Sequence, residues 1–273
     1  MARPDRKGTP LYEVDNLHLS LPDMTAKPLI GAAPRIEILR GLSFTVPRGA
    51  VMGIVGGSGS GKSTLGRALL RLLEPTGGNI RFDGHDITHL PETRLRGLRH
   101  RVQMIFQDPM SSLNPRRRVG GIIAGPLRRH GFDRVEARVA EALDHVGLPR
   151  DFARRFPHEL SGGQRQRVGI ARAIALSPDF ILADEIVSGL DVSSQAQVLN
   201  LLERLVGELG VTLAFISHDL SVIRRLCSHV IVMHRGEIVE NAPTAQLFEA
   251  PQAAYTRALL DAIPLPDPDQ PGW

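Results

Sequence analysis

The chain has 273 residues, 42% apolar, 23% charged and 4% aromatic, with a formal net charge of +4. That is the composition of an ordinary globular protein long enough to bury a core, and its single cysteine, Cys227, excludes a disulfide framework and any cysteine-built zinc or iron–sulfur site. The arginine clusters at Arg94, Arg96, Arg99 and Arg101, at Arg116–Arg118 and at Arg128–Arg129 lack the interleaved aromatics of a nucleic-acid surface, and read as solvated faces with some phosphate-facing arginines.

In chain order, Met1–Pro10 carries charge with no apolar segment behind it, so no targeting signal is expected there. Alternating stretches at Tyr12–Leu19 and Leu42–Val46 predict strands, separated by a Pro/Gly/Ala-rich loop from Pro22 to Pro34. Val51–Val55 predicts a short buried strand, followed by a glycine-rich turn and a helix from Lys62 to Leu73. Asn79–Phe82 and Arg101–Phe106 are further strand candidates. From about Pro115 to Ala175 the pattern is helical, with turns at Gly131, Gly147–Pro149 and Ser161–Gly163. Alternation then returns: strand Phe180–Ala183, helix Gln195–Leu209, strand Thr212–Ile216, helix Leu220–Cys227, strand Val230–Met233, a turn at Arg235–Gly236 and Glu237–Glu240. Strands alternating with helices imply a mainly parallel sheet covered on both faces, with the midway helical block as a subdomain. The tail beyond Ile263 is too rich in proline to join the core. No apolar run approaches the roughly 20 residues needed to cross a bilayer.

Gly56-Gly57-Ser58-Gly59-Ser60-Gly61-Lys62-Ser63, followed by Thr64, matches the P-loop pattern between a predicted strand and a predicted helix. Its glycines let successive N–H groups turn inward on phosphate oxygens, and the helix N-terminus favours the anion. Lys62 is expected to reach the β- and γ-phosphates of a nucleoside triphosphate and Ser63 to ligate Mg²⁺. Asp184 and Glu185 end an apolar strand. Asp184 is expected to hold the Mg²⁺ and Glu185 to accept a proton from the attacking water.

Leu160-Ser161-Gly162-Gly163-Gln164 completes the pattern. A P-loop, then L-S-G-G-Q, then an apolar strand ending in Asp-Glu resembles the nucleotide-binding subunit of an ATP-binding cassette (ABC) transporter. Gly162 and Gly163 are expected to precede a helix from Gln164 towards Leu176, a second helix N-terminus open to an anion. The resemblance implies that Ser161, Gly162, Gly163 and Gln164 cap the γ-phosphate held by an opposite subunit. It likewise implies Gln107 as a Mg²⁺ and water contact, Asp191 at the subunit interface and His218 on the γ-phosphate. The fold implied is α/β: a P-loop NTPase (RecA-like) core with an N-terminal antiparallel β-subdomain and an inserted helical subdomain. The ATP-binding domain would span residues 11–263, with the insertion at about 115–175 and a proline-rich tail at 264–273.

Two segments, Gln107 to Arg116 and Ala250 to Leu260 with Ala262-Ile263-Pro264, are similar to the peptide/nickel importer group. The resemblance implies a second, non-identical ATPase subunit, two membrane permeases, an extracytoplasmic solute-binding protein acting indirectly, and a peripheral place on the cytoplasmic face of the membrane. Its implied role is uptake of peptides or a related small solute, with no nucleic-acid partner. One alternative is a soluble ABC-type ATPase acting on nucleic acid or ribosomes; the interval from Lys62 to Ser161 leaves room only for the small helical subdomain, which argues against it. The other is a non-hydrolysing subunit, against which Gln107, Glu185 and His218 speak.

Departures from the family pattern are Ile186 in place of the proline after the glutamate, Leu21 in place of an adenine-stacking aromatic, Gly57 in place of a glutamate, and Ala253-Ala254 in place of His-Pro. Ile186 is expected to retune Glu185 modestly without abolishing hydrolysis. Leu21 is expected to loosen discrimination between ATP and GTP. The histidine pairs His85/His89 and His229/His234 have loosely metal-like spacing, but a turn and an odd spacing on a strand argue against metal binding.

Overall fold

The computed structural model describes residues 9–23, 25, 31–108 and 112–262. The expectations for the extreme N-terminus, for Pro109–Ser111 and for the tail from Ile263 onward lie outside them. Among the described residues the strands form two sheets. The first, in order β2-β1-β4-β5, joins β1 (Tyr12–Pro22), β2 (Arg35–Val46), β4 (Gly77–Phe82) and β5 (His85–Asp86) by antiparallel pairing. The second, in order β10-β9-β3-β8-β7-β6, joins β3 (Val51–Val55), β6 (Val102–Ile105), β7 (Phe180–Asp184), β8 (Thr212–Ile216), β9 (His229–His234) and β10 (Glu237–Pro243). It is parallel except for β10, which returns on β9 through the Arg235–Gly236 turn.

The period-two alternation of the central strands sorts their side chains between two cores. Met52 and Ile54 of β3, Phe180 and Leu182 of β7, and Ala214 and Ile216 of β8 point towards the antiparallel sheet and α1 (Lys62–Leu69). Val51 and Val55, Ile181 and Ala183, and Leu213 and Phe215 point the other way, under the helices. A strand buried on both faces has to be apolar throughout, which is why β3, β7 and β8 read as continuous runs. Between the two sheets, Tyr12 packs on Phe82 and Phe180 with ring centroids 5.0 and 4.8 Å away and donates its hydroxyl to Leu69 O at 3.0 Å.

The helical block consists of α3 (Val119–Arg129), α4 (Val135–His145), 3₁₀ turns at Arg150–Arg154 and Pro157–Glu159, and α5 (Gly162–Ile174). A short α2 (Glu92–Leu95) precedes β6. After β7 come α6 (Val192–Leu209) and α7 (Leu220–Leu226), and the described chain ends in α8 (Thr244–Glu249) and α9 (Ala254–Asp261). Gly169 lies buried in α5 with no atom within 4 Å of where a Cβ would sit. Gly169→Ala is therefore expected to stabilise the protein by about 0.5–1 kcal/mol through helix propensity. Calorimetry should record a melting temperature higher by about 1–3 °C.

Several helix boundaries differ from the sequence expectation, α6 for example starting at Val192 rather than Gln195, and two of the differences have a visible cause. α1 stops at Leu69 rather than Leu73, because Arg71 turns into the left-handed region at φ +51 and its guanidinium donates to Ile87 O, Leu73 O and Leu90 O. α5 begins at Gly162 rather than Gln164, because Ser161 is its N-cap: its Oγ accepts the Gln164 N–H while Gln164 Oε1 accepts the Ser161 N–H. Arg99 and Arg101 are half-buried and engaged within the fold. Arg99 donates to the carbonyls of Leu70 and Arg71, and Arg101 pairs with Asp83 and Asp179. Asp83 also pairs with Arg48; burial opposes its ionisation, but the two arginines hold its carboxyl at about 2.

Candidate functional site

Parallel pairing brings the carboxyl ends of β3, β8, β7 and β6 to one edge, where open α/β sheets place their ligands. Each of these strands delivers one element of the predicted site. β3 runs into the P-loop and α1, β8 into Ser217 and His218, β7 into Asp184 and Glu185, and β6 into Gln107. The register aligns Asp184 with Ile216, and the Glu185 N–H continues the ladder to Ile216 O at 3.0 Å.

Within the P-loop, Gly56 takes φ +145. The loop folds back so that Lys62 Nζ donates to Gly56 O at 2.8 Å and Gly57 O at 2.9 Å. Burial pushes the Lys62 pKa down, opposed by the charges of Glu185 and Asp184. Ser63 Oγ donates to Asp184 Oδ1 at 3.2 Å. Asp184 is buried and its pKa is raised by desolvation, a trend that Ser63 opposes and the neighbouring Glu185 reinforces. Such a carboxyl gains from a cation placed beside it. Ser60 is also buried, and its Oγ has no hydrogen-bond partner. Gly57, Ser58 and Gly59 form the turn, Gly61 caps α1 with left-handed geometry, and Thr64 lies half-buried in its first turn.

Glu185 holds the left-handed conformation at φ +50, which is costly for a residue with a side chain. Its backbone is fixed on both sides: the N–H by Ile216, the carbonyl by Ser188 N at 3.1 Å and Ser188 Oγ at 2.7 Å. Its carboxylate accepts from Gln107 Nε2 at 3.1 Å and stands 3.6 Å from Nδ1 of the more exposed His218. Gln107 also donates to Ser188 Oγ at 3.3 Å. Ile186, one residue on, is 1% exposed and part of the core beneath the helices, so the position normally held by proline here serves packing.

A family model described as ABC transporter matches residues 39–188, more than half the chain, from within β2 to Ser188. The chain belongs to the ABC transporter family. As a member it is an ATP-binding and ATP-hydrolysing cassette. A Brucella ovis protein provisionally named a peptide import ATP-binding protein is 54% identical over 238 residues, covering 86% of this chain and 75% of its own. The oligopeptide transport ATP-binding protein OppF of Bacillus subtilis is 49% identical over 240 residues, 86% of this chain and 78% of its own. A solved dimeric ATP-binding cassette in a post-hydrolysis state with ADP and Pi superposes with a TM-score of 0.73 at 28% identity, covering 85% of this chain and 98% of that one.

The cassette does not bring every predicted residue together. Among the described residues, Ser161, Gly162, Gly163 and Gln164 make no hydrogen bond to the P-loop, Gln107, Asp184, Glu185 or His218. Gly163 faces α6 instead, where Ser194 Oγ lies 3.5 Å from the place of a Cβ. Asp191 caps α6 through Ser194, its Oδ1 accepting the N–H at 2.9 Å and its Oδ2 the hydroxyl at 2.7 Å. Sequence reasoning missed Ser188, which links Gln107 to Glu185, and Asp219, which caps α7 through Ser221 and Val222. An Asp-x-Ser pattern just after the His218 strand was the available signal for the second. Of the histidine pairs, His85 binds Asp83 O, His89 faces Glu74, and His229 binds Asn241 while the His234 ring lies tilted against Tyr255. Leu21 is a partly buried member of the core between the two sheets.

Proposed function

We propose that this cassette powers a membrane importer for peptides or a related small solute, working as one of a pair of ATPase subunits beneath two permeases. The observation that carries this reading is the single edge at which Lys62, Ser63, Asp184, Glu185, Gln107 and His218 converge, in a chain close in sequence to proteins named for peptide import.

The residues fit Mg·ATP. Lys62 rests on carbonyls it can exchange for phosphate oxygens, the Ser60 hydroxyl is buried without a partner, and the Ser63–Asp184 pair supplies the hard oxygen ligands that Mg²⁺ takes, with the Gln107 side-chain oxygen as a further ligand in this reading. When bound, the ion supplies charge neutralisation across the phosphates. Glu185 takes the proton of the attacking water, Gln107 orients that carboxylate, and His218 meets the γ-phosphate. The Ser161 hydroxyl accepts from its own helix, so its proton remains free to donate. Because the Ser161–Gln164 turn makes no hydrogen bond to its own P-loop, its phosphate would come from a second subunit, a non-identical homologue in this reading. The dimeric form of the solved cassette supports such a pairing.

Among the described residues no helix is long and apolar enough to cross a membrane. In this reading the permeases carry the solute, and the subunit sits peripherally on the cytoplasmic face. A cleft of ≈ 770 Å³ next to Gln107 offers the permeases a docking place. It presents exposed Phe106 and Leu72 among Arg117, Arg128, Arg129 and Arg172. A solute-binding protein outside the membrane would act on it only through the permeases. The test is purification with its membrane partners into vesicles. Vanadate-sensitive ATP hydrolysis should accelerate when a peptide-loaded binding protein is added; hydrolysis indifferent to that protein, or recovery with ribosomes or DNA, would sink the reading.

A further inference from the structure

The P-loop is held from outside as well as from within, by a residue beyond the stretch that the family model matches. On α9, the Tyr255 hydroxyl accepts the Gly57 N–H at 2.9 Å, joining positions 198 residues apart in sequence. The Tyr255 ring lies against His234 at the end of β9, with centroids 4.0 Å apart. The carbonyl of the same Gly56–Gly57 peptide accepts Lys62 Nζ. In a trans peptide the N–H and C=O point in opposite directions, so Tyr255 grips one pole of the unit while Lys62 leans on the other. A hydrogen bond at one pole also polarises the peptide and strengthens the bond at the other.

α9 itself is anchored. The buried Glu240 carboxylate accepts the N–H groups of Gln252 at 2.9 Å and Ala253 at 3.0 Å, at the helix entry. Arg257 closes the same turn by donating to Pro251 O and Gln252 O, both at 3.0 Å. A rigid helix thus presents one hydroxyl to one backbone amide of the nucleotide loop.

We propose that Tyr255 is a positioning residue for nucleotide binding, which sets the P-loop through the Gly57 amide and ties the C-terminal helix to the ATP site. The proposal rests on the P-loop being the ATP site. Without the hydroxyl, the Gly57 N–H loses its partner and the 56–57 peptide gains freedom that ATP must remove on binding. The hydrolytic edge at Gln107 and Glu185 is untouched, so the effect belongs to binding and not to turnover.

The test compares the full chain with its Tyr255→Phe and Glu240→Gln variants by ATP titration calorimetry, steady-state hydrolysis and thermal melting. Loss of one neutral hydrogen bond should weaken ATP binding and raise KM about three- to tenfold in Tyr255→Phe. kcat should stay within about twofold, the split that separates a binding role from a general loss of structure. Glu240→Gln keeps the hydroxyl but loosens its helix, and should move KM in the same direction by a smaller factor. An unchanged ATP affinity in Tyr255→Phe, or a fall in kcat at constant KM, overturns the proposal. If the unaltered chain itself failed to bind ATP, the P-loop reading would fall first, and visibly so, before any variant was compared.

Discussion

Glu185→Gln is expected to lower kcat by about 10²–10⁴-fold while leaving ATP binding intact. The size follows from removing a general base, worth about 3–5 kcal/mol of barrier. The retention of binding follows from geometry. Lys62 donates to the Gly56 and Gly57 carbonyls, Ser63 to Asp184 and the Gly57 N–H to Tyr255, and none of these bonds runs through Glu185. Glutamine keeps the shape of the side chain, and the left-handed backbone at φ +50 is set by Ile216 and Ser188 rather than by the carboxylate. The melting temperature should therefore hardly move. A loss smaller than tenfold in a folded, ATP-binding variant would remove Glu185 from the role of base and turn attention to its neighbour His218.

The site was legible in the sequence wherever chemistry follows directly on a buried strand. β3, β7 and β8 are continuous apolar runs ended by glycine, a carboxylate or a serine, so Lys62, Asp184, Glu185 and His218 could be numbered before their arrangement was known. What the sequence withheld is held by distant partners. Leu70, Leu72 and Leu73 keep helical spacing past the end of α1, and only the carbonyls that Arg71 caps explain why the helix stops. Arg101 looks like any other arginine of a basic cluster until the turn after β4 and the approach to β7 supply Asp83 and Asp179. α8 and α9 escaped notice as helices: neither has a local side-chain cap, and the entry to α9 is held by Glu240 from the neighbouring strand. For the same reason nothing near Tyr255 in sequence marks it as a neighbour of the P-loop.

Gly56→Ala is expected to weaken ATP binding by about 100-fold and to cost about 1–3 kcal/mol of stability. A Cβ at position 56 would lie 2.1 Å from Met233 O and 2.8 Å from Ser60 Oγ. Ser60 can rotate; the Met233 carbonyl cannot. It belongs to β9, which is locked on one side by β3, through Ile54↔Ile231 and Val55↔Val232, and on the other by β10, through Ile238↔Met233. The P-loop has to give way instead, by at least about 1.3 Å if the new methyl is to move from 2.1 Å to an ordinary contact of 3.4 Å. That shift displaces the Gly56 and Gly57 carbonyls on which Lys62 rests and misaligns the amides meant for phosphate. Strain from a positive φ alone does not produce this result, and Gly210→Ala separates the two causes. Gly210 caps α6 at φ +61 with no atom within 4 Å of its Cβ position, so alanine there should cost about 1–2 kcal/mol and leave ATP affinity unchanged. If titration calorimetry found Gly56→Ala within threefold of the parent, the close approach of the loop to β9 would have no part in holding nucleotide.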